Sequence, residues 1–233
     1  MAHILLISHE PEAAPGVIGE LLAEQGHDVE RHIILTDPQN PDVDFPNVND
    51  FDAVIAFGSF SNVYEEKSRV WVEPEIELIR TTMRDDVPYL GLCFGGQLLT
   101  ESLGGHVEKA PHGSDEIGLL SIEPTGATMP IPQGPWFTWH EDRMVLPADV
   151  EILAETPDAV QLFRKGRAVG TQFHPEANVE LVSGWIRIGP DHVPDYTSAD
   201  QILGDLARAS EATRANCAAL LDWFLRDIAK VDA

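Results

Sequence analysis

The sequence has few cysteines, few basic residues and no long apolar run, and each shortage excludes a class of protein. Two cysteines in 233 residues are too few for a disulfide framework. The 15 lysines and arginines are outnumbered by 39 aspartates and glutamates, and the net charge of −24 disfavours nucleic-acid and anionic-membrane partners. No apolar run reaches the length of a membrane span, and no basic, apolar leader is recognisable at the start. These shortages predict a cytoplasmic protein.

Motifs for cofactors and metals are also missing. Neither a G-x-G-x-x-G dinucleotide loop nor a Walker phosphate loop occurs in the sequence. Histidines without H-x-x-x-H spacing or a paired cysteine are typical of surface or hydrogen-bonded core positions, so neither a metal nor a cofactor is expected. Those histidines are His3, His9, His27, His32, His106, His112 and His192. The acidic surplus fits a well-solvated surface or a salt-rich cytoplasm.

The most informative stretch is residues 87–105. A short apolar run, typical of a buried parallel strand, is followed from Gly95 by apolar residues at helical spacing. Cys93 stands at the junction in Gly91-Leu-Cys-Phe-Gly95, the form of a nucleophile elbow with a thiol in place of a hydroxyl. Small residues suit such a tight turn, and the start of a helix favours the reactive thiolate. A lone cysteine in an apolar stretch can also be an inert core residue.

A second motif, far downstream, favours the catalytic interpretation of Cys93. Gly170-Thr-Gln-Phe-His-Pro-Glu176 follows another apolar run and places a histidine two residues before an acid. A histidine can act as general base, and a neighbouring carboxylate can orient it. The proline between them restricts the backbone, so His174 and Glu176 are expected in an extended geometry.

Together these motifs resemble those of the class I (triad-type) glutamine amidotransferases, which carry G-x-C-x-G-x-Q on the elbow and a late H-P-E. Both stand intact here, as Gly91-Leu-Cys93-Phe-Gly95-Gly-Gln97 and as His174-Pro-Glu176. The resemblance weakens after about residue 180 and is nearest to stand-alone, GMP-synthase-like members. It implies that Cys93 is the nucleophile, His174 the base and Glu176 its orienting acid.

An oxyanion hole requires two N–H donors near the nucleophile. The N–H of Phe94 is one, because it follows the nucleophile, and the resemblance implies that the backbone of Gly58 is the other. Relatives often have Gly-Gly-Pro at this position, whereas the chain has Phe57-Gly58-Ser59, which can equally be an ordinary strand-ending turn. Phe57 either holds the Gly58 amide out of line until a partner binds, or packs into the core.

The resemblance also implies residues that bind the substrate glutamine. Gln97 lies one helical turn after Cys93 and takes the family's glutamine-binding role, although a polar residue there can simply face solvent. Residues 135–142 resemble the W-H-G-D loop that walls the family's pocket, with Trp139 and His140 as wall residues and Glu141 in place of glycine. His140 lacks the H-P-E arrangement, so a structural or pocket-lining role is favoured over a catalytic one.

The order of elements predicts the fold. Strands at 3–8, 28–35, 52–57 and 87–92 alternate with helices, which indicates a doubly wound, mostly parallel α/β sheet of flavodoxin-like type. Shorter strands follow at 117–122, 150–155, 159–163 and 168–173, partly antiparallel, as an additional small sheet. Residues 185–196 are expected to be irregular. We expect one domain over 1–233, with a C-terminal helical extension at about 198–230.

Three functions are compatible with these patterns. The chain length leaves no room for a synthetase domain, so the first is a glutaminase that releases glutamate and ammonia through a cysteinyl thioester, for a separate acceptor enzyme. The second is a free-standing hydrolase of γ-glutamyl compounds, whose pocket must open to accommodate an amine. The third is a non-catalytic regulatory module, which the intact Cys93, His174 and Glu176 disfavour. The acceptor and the oligomeric state stay open.

Overall fold

The computed structural model describes residues 1–111 and 114–231, so His112 lies outside the described residues. The first half of the chain alternates strands and helices: β1 (His3–Ser8), α1 (Gly16–Glu24), β2 (Asp28–Ile33), β3 (Ala53–Ala56), α2 (Arg69–Arg84), β4 (Tyr89–Leu92) and α3 (Phe94–Ser102). Seven of the eight later strands are short or irregularly spaced antiparallel pieces: β5 (His106–Lys109), β6 (Glu116–Leu120), β7 (Glu123–Pro124), β8 (Trp136–His140), β9 (Asp142–Val145), β10 (Glu151–Glu155) and β11 (Val160–Lys165). The chain continues with β12 (Ala168–Thr171), α4 (Val179–Ile188) and α5 (Ala199–Trp223), which runs into a π-helical segment at Phe224–Ala229.

An eight-stranded mixed sheet forms the centre of the fold, in the order β2-β1-β3-β4-β12-β11-β10-β7. The first five strands pair in parallel, and the last three pairings are antiparallel. Two separate two-stranded antiparallel sheets are formed by β5 with β9 and by β6 with β8. The parallel half has the flavodoxin-like order. The predicted fold class is therefore confirmed.

Each face of the central sheet carries its own apolar core. Along β1, Ile4 and Leu6 pack on the side of α1 and α5, whereas Leu5 and Ile7 pack on the side of α2 and α3. This alternation follows from the two-residue period of a strand whose two faces are both covered. Helix α5 contributes Cys217, Leu220 and Leu221 to the first core, as the apolar spacing of the tail predicts.

Two segments differ from the expectations. Residues 136–140 form strand β8 rather than a loop, because their backbone pairs with β6 and their aromatic side chains pack inward. The expectation that residues 185–196 are irregular is wrong at its start, since Trp185 belongs to α4. The side chain of Asn178 caps α4 by accepting from the N–H of Leu181 at 2.9 Å. Over the described ranges, no helix combines the length and apolar character needed to cross a membrane.

Four neighbouring parallel strands bring the polar motifs to one edge of the sheet. Strands β1, β3, β4 and β12 are adjacent and all run in the same direction. Their carboxyl ends are followed by His9, Gly58, Cys93 and His174, respectively. In open α/β sheets this edge is where ligands bind. The topology therefore assembles, from four distant parts of the sequence, one site.

Candidate active site

Cys93 occupies a strained turn between β4 and α3. Its φ of 49° and ψ of −102° lie where side chains other than glycine are rarely found. The flanking glycines are required by close backbone contacts: a Cβ at Gly91 would lie 2.3 Å from the carbonyl oxygen of Gly95, and one at Gly95 would lie 2.5 Å from that of Ala56. The expectation that small residues are needed for the close approach of strand and helix is confirmed.

His174 lies directly beside Cys93, and Glu176 lies behind His174. The Nδ1 atom of His174 is 2.7 Å from Oε1 of Glu176, and both side chains are buried. Burial opposes a charged imidazole, but the interactions with Cys93 and Glu176 outweigh it and raise the pKa of His174 well above its ordinary value. The ring also packs against Trp185 of α4, with 4.9 Å between the ring centroids. A buried imidazole oriented by a carboxylate therefore faces the sulfur of Cys93.

Gln172 is a neighbour of Cys93 that the sequence analysis missed. Its Nε2 atom lies 3.5 Å from Sγ of Cys93, and the residue is fully buried. The amide N–H of Gln172 is thus placed to donate a hydrogen bond to the sulfur. A signal was present in the sequence, because Gln172 precedes His174 by two residues at the end of an extended run, where alternate side chains share a face.

The turn after β3 supplies the backbone expected of an oxyanion hole. Among the described residues, no acceptor is found for the N–H groups of Gly58 and Phe94, so both are available to a ligand. Gly58 packs against His174, since a Cβ at Gly58 would lie 2.9 Å from Cε1 of His174. The side chain of Phe57 is 1% exposed and belongs to the apolar core. Of the two alternatives for Phe57, packing into the core is the one observed.

The pocket in front of Cys93 contains the predicted substrate-binding residues. Gln97, Trp139 and His140 all line it, together with residues of the turn after β3. Gln97 is 4% exposed, so it does not simply face solvent. His140 is engaged elsewhere, with Nε2 3.0 Å from Oε2 of Glu116 and Nδ1 2.9 Å from the carbonyl oxygen of Asp142. These contacts suit a wall residue better than a proton carrier.

Asp142, the last residue of the segment that resembles W-H-G-D, joins the two sides of the pocket. Its carboxylate accepts hydrogen bonds from Nδ2 of Asn62 at 2.7 Å and from the hydroxyl of Tyr64 at 2.9 Å. Burial and this hydrogen bond raise the pKa of Tyr64 to about 12. Because Asn62 and Tyr64 follow the Gly58 turn while Asp142 begins β9, the contacts fix the turn against the pocket wall. Within residues 1–111 and 114–231, no three His, Cys, Asp or Glu side chains group as metal ligands do.

The fold and site place the chain among α/β proteins that carry a cysteine on the strand-to-helix turn of a doubly wound sheet. The chain belongs to the class I glutamine amidotransferase family, because the family model described as Glutamine amidotransferase class-I matches residues 17–182. The GMP synthase [glutamine-hydrolyzing] of Staphylococcus aureus is 36% identical over 130 residues, which are 53% of this chain and 24% of that protein. The chain thus matches about a quarter of the length of this relative.

Solved structures support the fold. A glutamine amidotransferase from Thermotoga maritima superposes with a TM-score of 0.84 at 24% identity, covering 96% of this chain and 97% of that one. A glutamine amidotransferase from Methylobacillus flagellatus gives a TM-score of 0.83 at 21% identity, covering 97% and 94%. At these identities the similarity establishes a shared architecture along nearly the whole chain.

The two thiols are expected to react very differently with a glutamine-directed electrophile such as a diazo-ketone analogue. Cys93 lines the pocket beside His174, whereas Cys217 is fully buried in the core, and burial raises the pKa of the Cys217 thiol. We expect the label on Cys93, with none on Cys217, in peptide mass spectra of the folded protein. Label mainly on Cys217 would contradict the assignment, and denatured protein treated with iodoacetamide provides the control in which both thiols react.

Proposed function

We propose that this chain is a glutaminase that hydrolyses the side-chain amide of glutamine to glutamate and ammonia, for use by a separate acceptor enzyme. The observation that carries the proposal is the arrangement of side chains around Cys93. Its sulfur faces His174, whose pKa is raised, and Nδ1 of His174 is 2.7 Å from Oε1 of Glu176. A thiolate, a general acid–base and an orienting carboxylate are the groups that amide cleavage through a thioester requires. Family membership supports glutamine as the substrate.

The proposed reaction has two halves. The thiolate of Cys93 attacks the side-chain carbonyl carbon, and the carbonyl oxygen becomes an oxyanion that the N–H groups of Gly58 and Phe94 stabilise. His174 gives its proton to the amide nitrogen, the C–N bond breaks, and ammonia leaves a γ-glutamyl thioester. His174 then takes a proton from water, the hydroxide adds to the thioester, and the C–S bond breaks to release glutamate and regenerate the thiolate.

Glu176 holds His174 in the tautomer and orientation that both halves require. Its Oε1 accepts from Nδ1, which leaves Nε2 as the nitrogen that exchanges protons with Cys93 and the substrate. The main chain of Glu176 is held as well, because its carbonyl oxygen accepts from the N–H of Val17, at the start of α1, at 2.9 Å. This backbone contact fixes the main-chain position from which the Glu176 side chain reaches His174.

A separate acceptor enzyme is part of the proposal. The Staphylococcus aureus relative is a glutamine-hydrolyzing GMP synthase, and the match to this chain covers only 24% of it. The remaining part of that protein lies outside the match, and we propose that the ammonia released here is used by a separate acceptor enzyme. An uncoupled glutaminase wastes glutamine, and low basal activity of the isolated chain is the expected consequence.

The function is tested by measuring ammonia released by the purified chain from glutamine and from a panel of γ-glutamyl amines, with and without extract of the source cells. We expect hydrolysis of glutamine that increases when extract is added. Preferential cleavage of γ-glutamyl amines, independent of extract, would instead indicate a free-standing γ-glutamyl hydrolase, which the extension of the pocket to Gly189 and His192 would admit. No ammonia from any substrate in either condition would contradict both enzymatic functions.

A further inference from the structure

A buried histidine–glutamate pair lies behind the candidate oxyanion hole, outside the Cys93, His174 and Glu176 set. His9 directly follows β1 and Glu75 lies in α2, and both residues are fully buried. Nε2 of His9 is 2.9 Å from Oε2 of Glu75, and Nδ1 is 2.9 Å from the carbonyl oxygen of Gly58. A buried ionisable pair is costly to desolvate and gives weak net stabilisation, so its position at the site suggests another role.

The chemistry of these partners fixes where the His9 proton sits. A carbonyl oxygen only accepts hydrogen bonds, so Nδ1 of His9 must carry the hydrogen that it donates to Gly58. Nε2 then faces the Glu75 carboxyl group, and the two share one further proton. Burial disfavours the charged ring, but Glu75 outweighs it and raises the pKa of His9. The donor at Nδ1 is present in either protonation state of the pair.

The ring of His9 touches the second candidate donor residue as well. It packs edge-on against the ring of Phe94, with centroids 4.7 Å apart, and also against Trp71 of α2. His9 therefore contacts both residues, Gly58 and Phe94, whose backbone N–H groups are proposed to hold the oxyanion. Few single side chains could set the relative position of two main-chain segments that are 36 residues apart in the chain.

The next residue holds the other end of the same turn. Oε1 of Glu10 accepts from the hydroxyl of Ser59 at 2.8 Å and from the N–H of Phe60 at 3.3 Å. His9 and Glu10 together thus bind three consecutive residues of the turn after β3. His9 donates to the carbonyl oxygen of Gly58, and Glu10 accepts from the hydroxyl of Ser59 and the N–H of Phe60. The carbonyl oxygen of Gly58 belongs to the Gly58–Ser59 peptide, whereas its N–H belongs to the Phe57–Gly58 peptide, whose carbonyl oxygen accepts from the N–H of Gly95 at 3.1 Å. The two peptides that flank Gly58 are therefore held separately, the first by α3 and the second by His9. Loss of the second anchor would let the Gly58 backbone shift and carry its N–H out of position.

We propose that His9, oriented by Glu75, is a positioning residue that anchors the carbonyl group of Gly58 and thereby keeps the Gly58 N–H in place in the oxyanion hole. The proposal rests on the proposed glutaminase function. It assigns His9 no contact with substrate. The consequence is kinetic: loss of the Nδ1–H donor should slow formation of the tetrahedral intermediate while leaving substrate binding and the Cys93 thiolate in place.

Two substitutions of His9, each of which keeps only one of the two imidazole hydrogen bonds, distinguish this positioning role from simple packing. In His9→Asn the amide reaches the position of Nδ1 and can donate to Gly58, but it cannot reach Glu75. In His9→Gln the longer amide reaches the position of Nε2 and can bind Glu75, but it leaves the Gly58 carbonyl without its donor. A purely structural role predicts the reverse order of damage, because glutamine fills more of the cavity than asparagine does.

The expected result is that His9→Gln lowers kcat for glutamine by about ten- to a hundred-fold with KM unchanged, less than the loss of a direct oxyanion donor. His9→Asn should retain most of the wild-type kcat. The rate of Cys93 alkylation by iodoacetamide should match wild type in both variants, because this displacement forms no oxyanion. His27→Gln, at the opposite end of the strands, where Nδ1 accepts from the N–H of Ala2 at 3.0 Å, is the control.

Equal kcat in His9→Asn and His9→Gln would overturn the inference, and so would alkylation that falls in parallel with kcat. If either variant unfolds, Glu75→Leu against Glu75→Gln applies the same test, because only glutamine can still orient the His9 ring. Glutamine hydrolysis by the wild-type chain is measured first. Its absence would count against the proposed function itself. An active wild type whose His9 variants have equal kcat would count only against the positioning role of His9.

Discussion

Replacing Cys93 with alanine is expected to abolish glutamine hydrolysis while the protein keeps its fold. Removing the nucleophile of a comparable triad lowers kcat by about a million-fold, because no other group can form the covalent intermediate. The Cβ of alanine fits the same turn and carries the same backbone strain, so the melting temperature should stay near that of wild type. Ammonia release and thermal unfolding are measured on the same preparation.

Cys217→Ala is the matched control for the nucleophile. The residue is fully buried in the core next to α1, so the substitution should lower the free energy of unfolding by about 1 kcal/mol and leave kcat unchanged. Wild-type ammonia release by Cys93→Ala, or loss of activity in Cys217→Ala without loss of fold, would contradict the assignment of the nucleophile.

His174→Gln is expected to lower kcat by about a hundred- to ten-thousand-fold, the range that general acid–base catalysis supplies. Glutamine fills a similar volume beside Glu176 and Trp185 but cannot exchange a proton. The pH profile offers a second test. Because the pKa of His174 is raised, its proton is held at neutral pH and lost as the pH rises through that folded-state value. The wild-type rate should therefore decline on the alkaline side.

The variant should lose this alkaline decline along with most of its activity. Steady-state rates of both proteins across the alkaline range provide the comparison, with far-UV circular dichroism at each pH to exclude unfolding. His174→Gln with activity within about tenfold of wild type would contradict the proton-transfer role. An unchanged alkaline decline in the variant would assign the titration to another group.

Local patterns in the sequence were sufficient to predict the strands and helices of the parallel half of the fold. The apolar runs at β1, β3 and β4 and the helical spacing in α3 depend on neighbours within a few residues, and those elements are where they were expected. The cysteine between two glycines marks a turn whose geometry has few solutions, so the position of Cys93 also follows from its immediate neighbours.

Pairings between distant residues could not be predicted in the same way. Strand β8 is a strand because β6, some 20 residues earlier, supplies its hydrogen bonds, and nothing within residues 136–140 specifies that partner. His9 and Glu75 are 66 positions apart, and the dispersed histidines gave no reason to single out His9. A polar residue directly after a buried strand, at the ligand-binding edge, was the available signal.

The central claim is that Cys93 forms a γ-glutamyl thioester, and trapping that species tests it most directly. The purified chain is incubated with glutamine, quenched in acid within the first turnovers, digested, and analysed by peptide mass spectrometry. We predict one glutamyl group on the peptide that contains Cys93, none on the peptide that contains Cys217, and none anywhere in Cys93→Ala. Ammonia released at the wild-type rate with no adduct at Cys93, or with the adduct on another residue, would contradict the account.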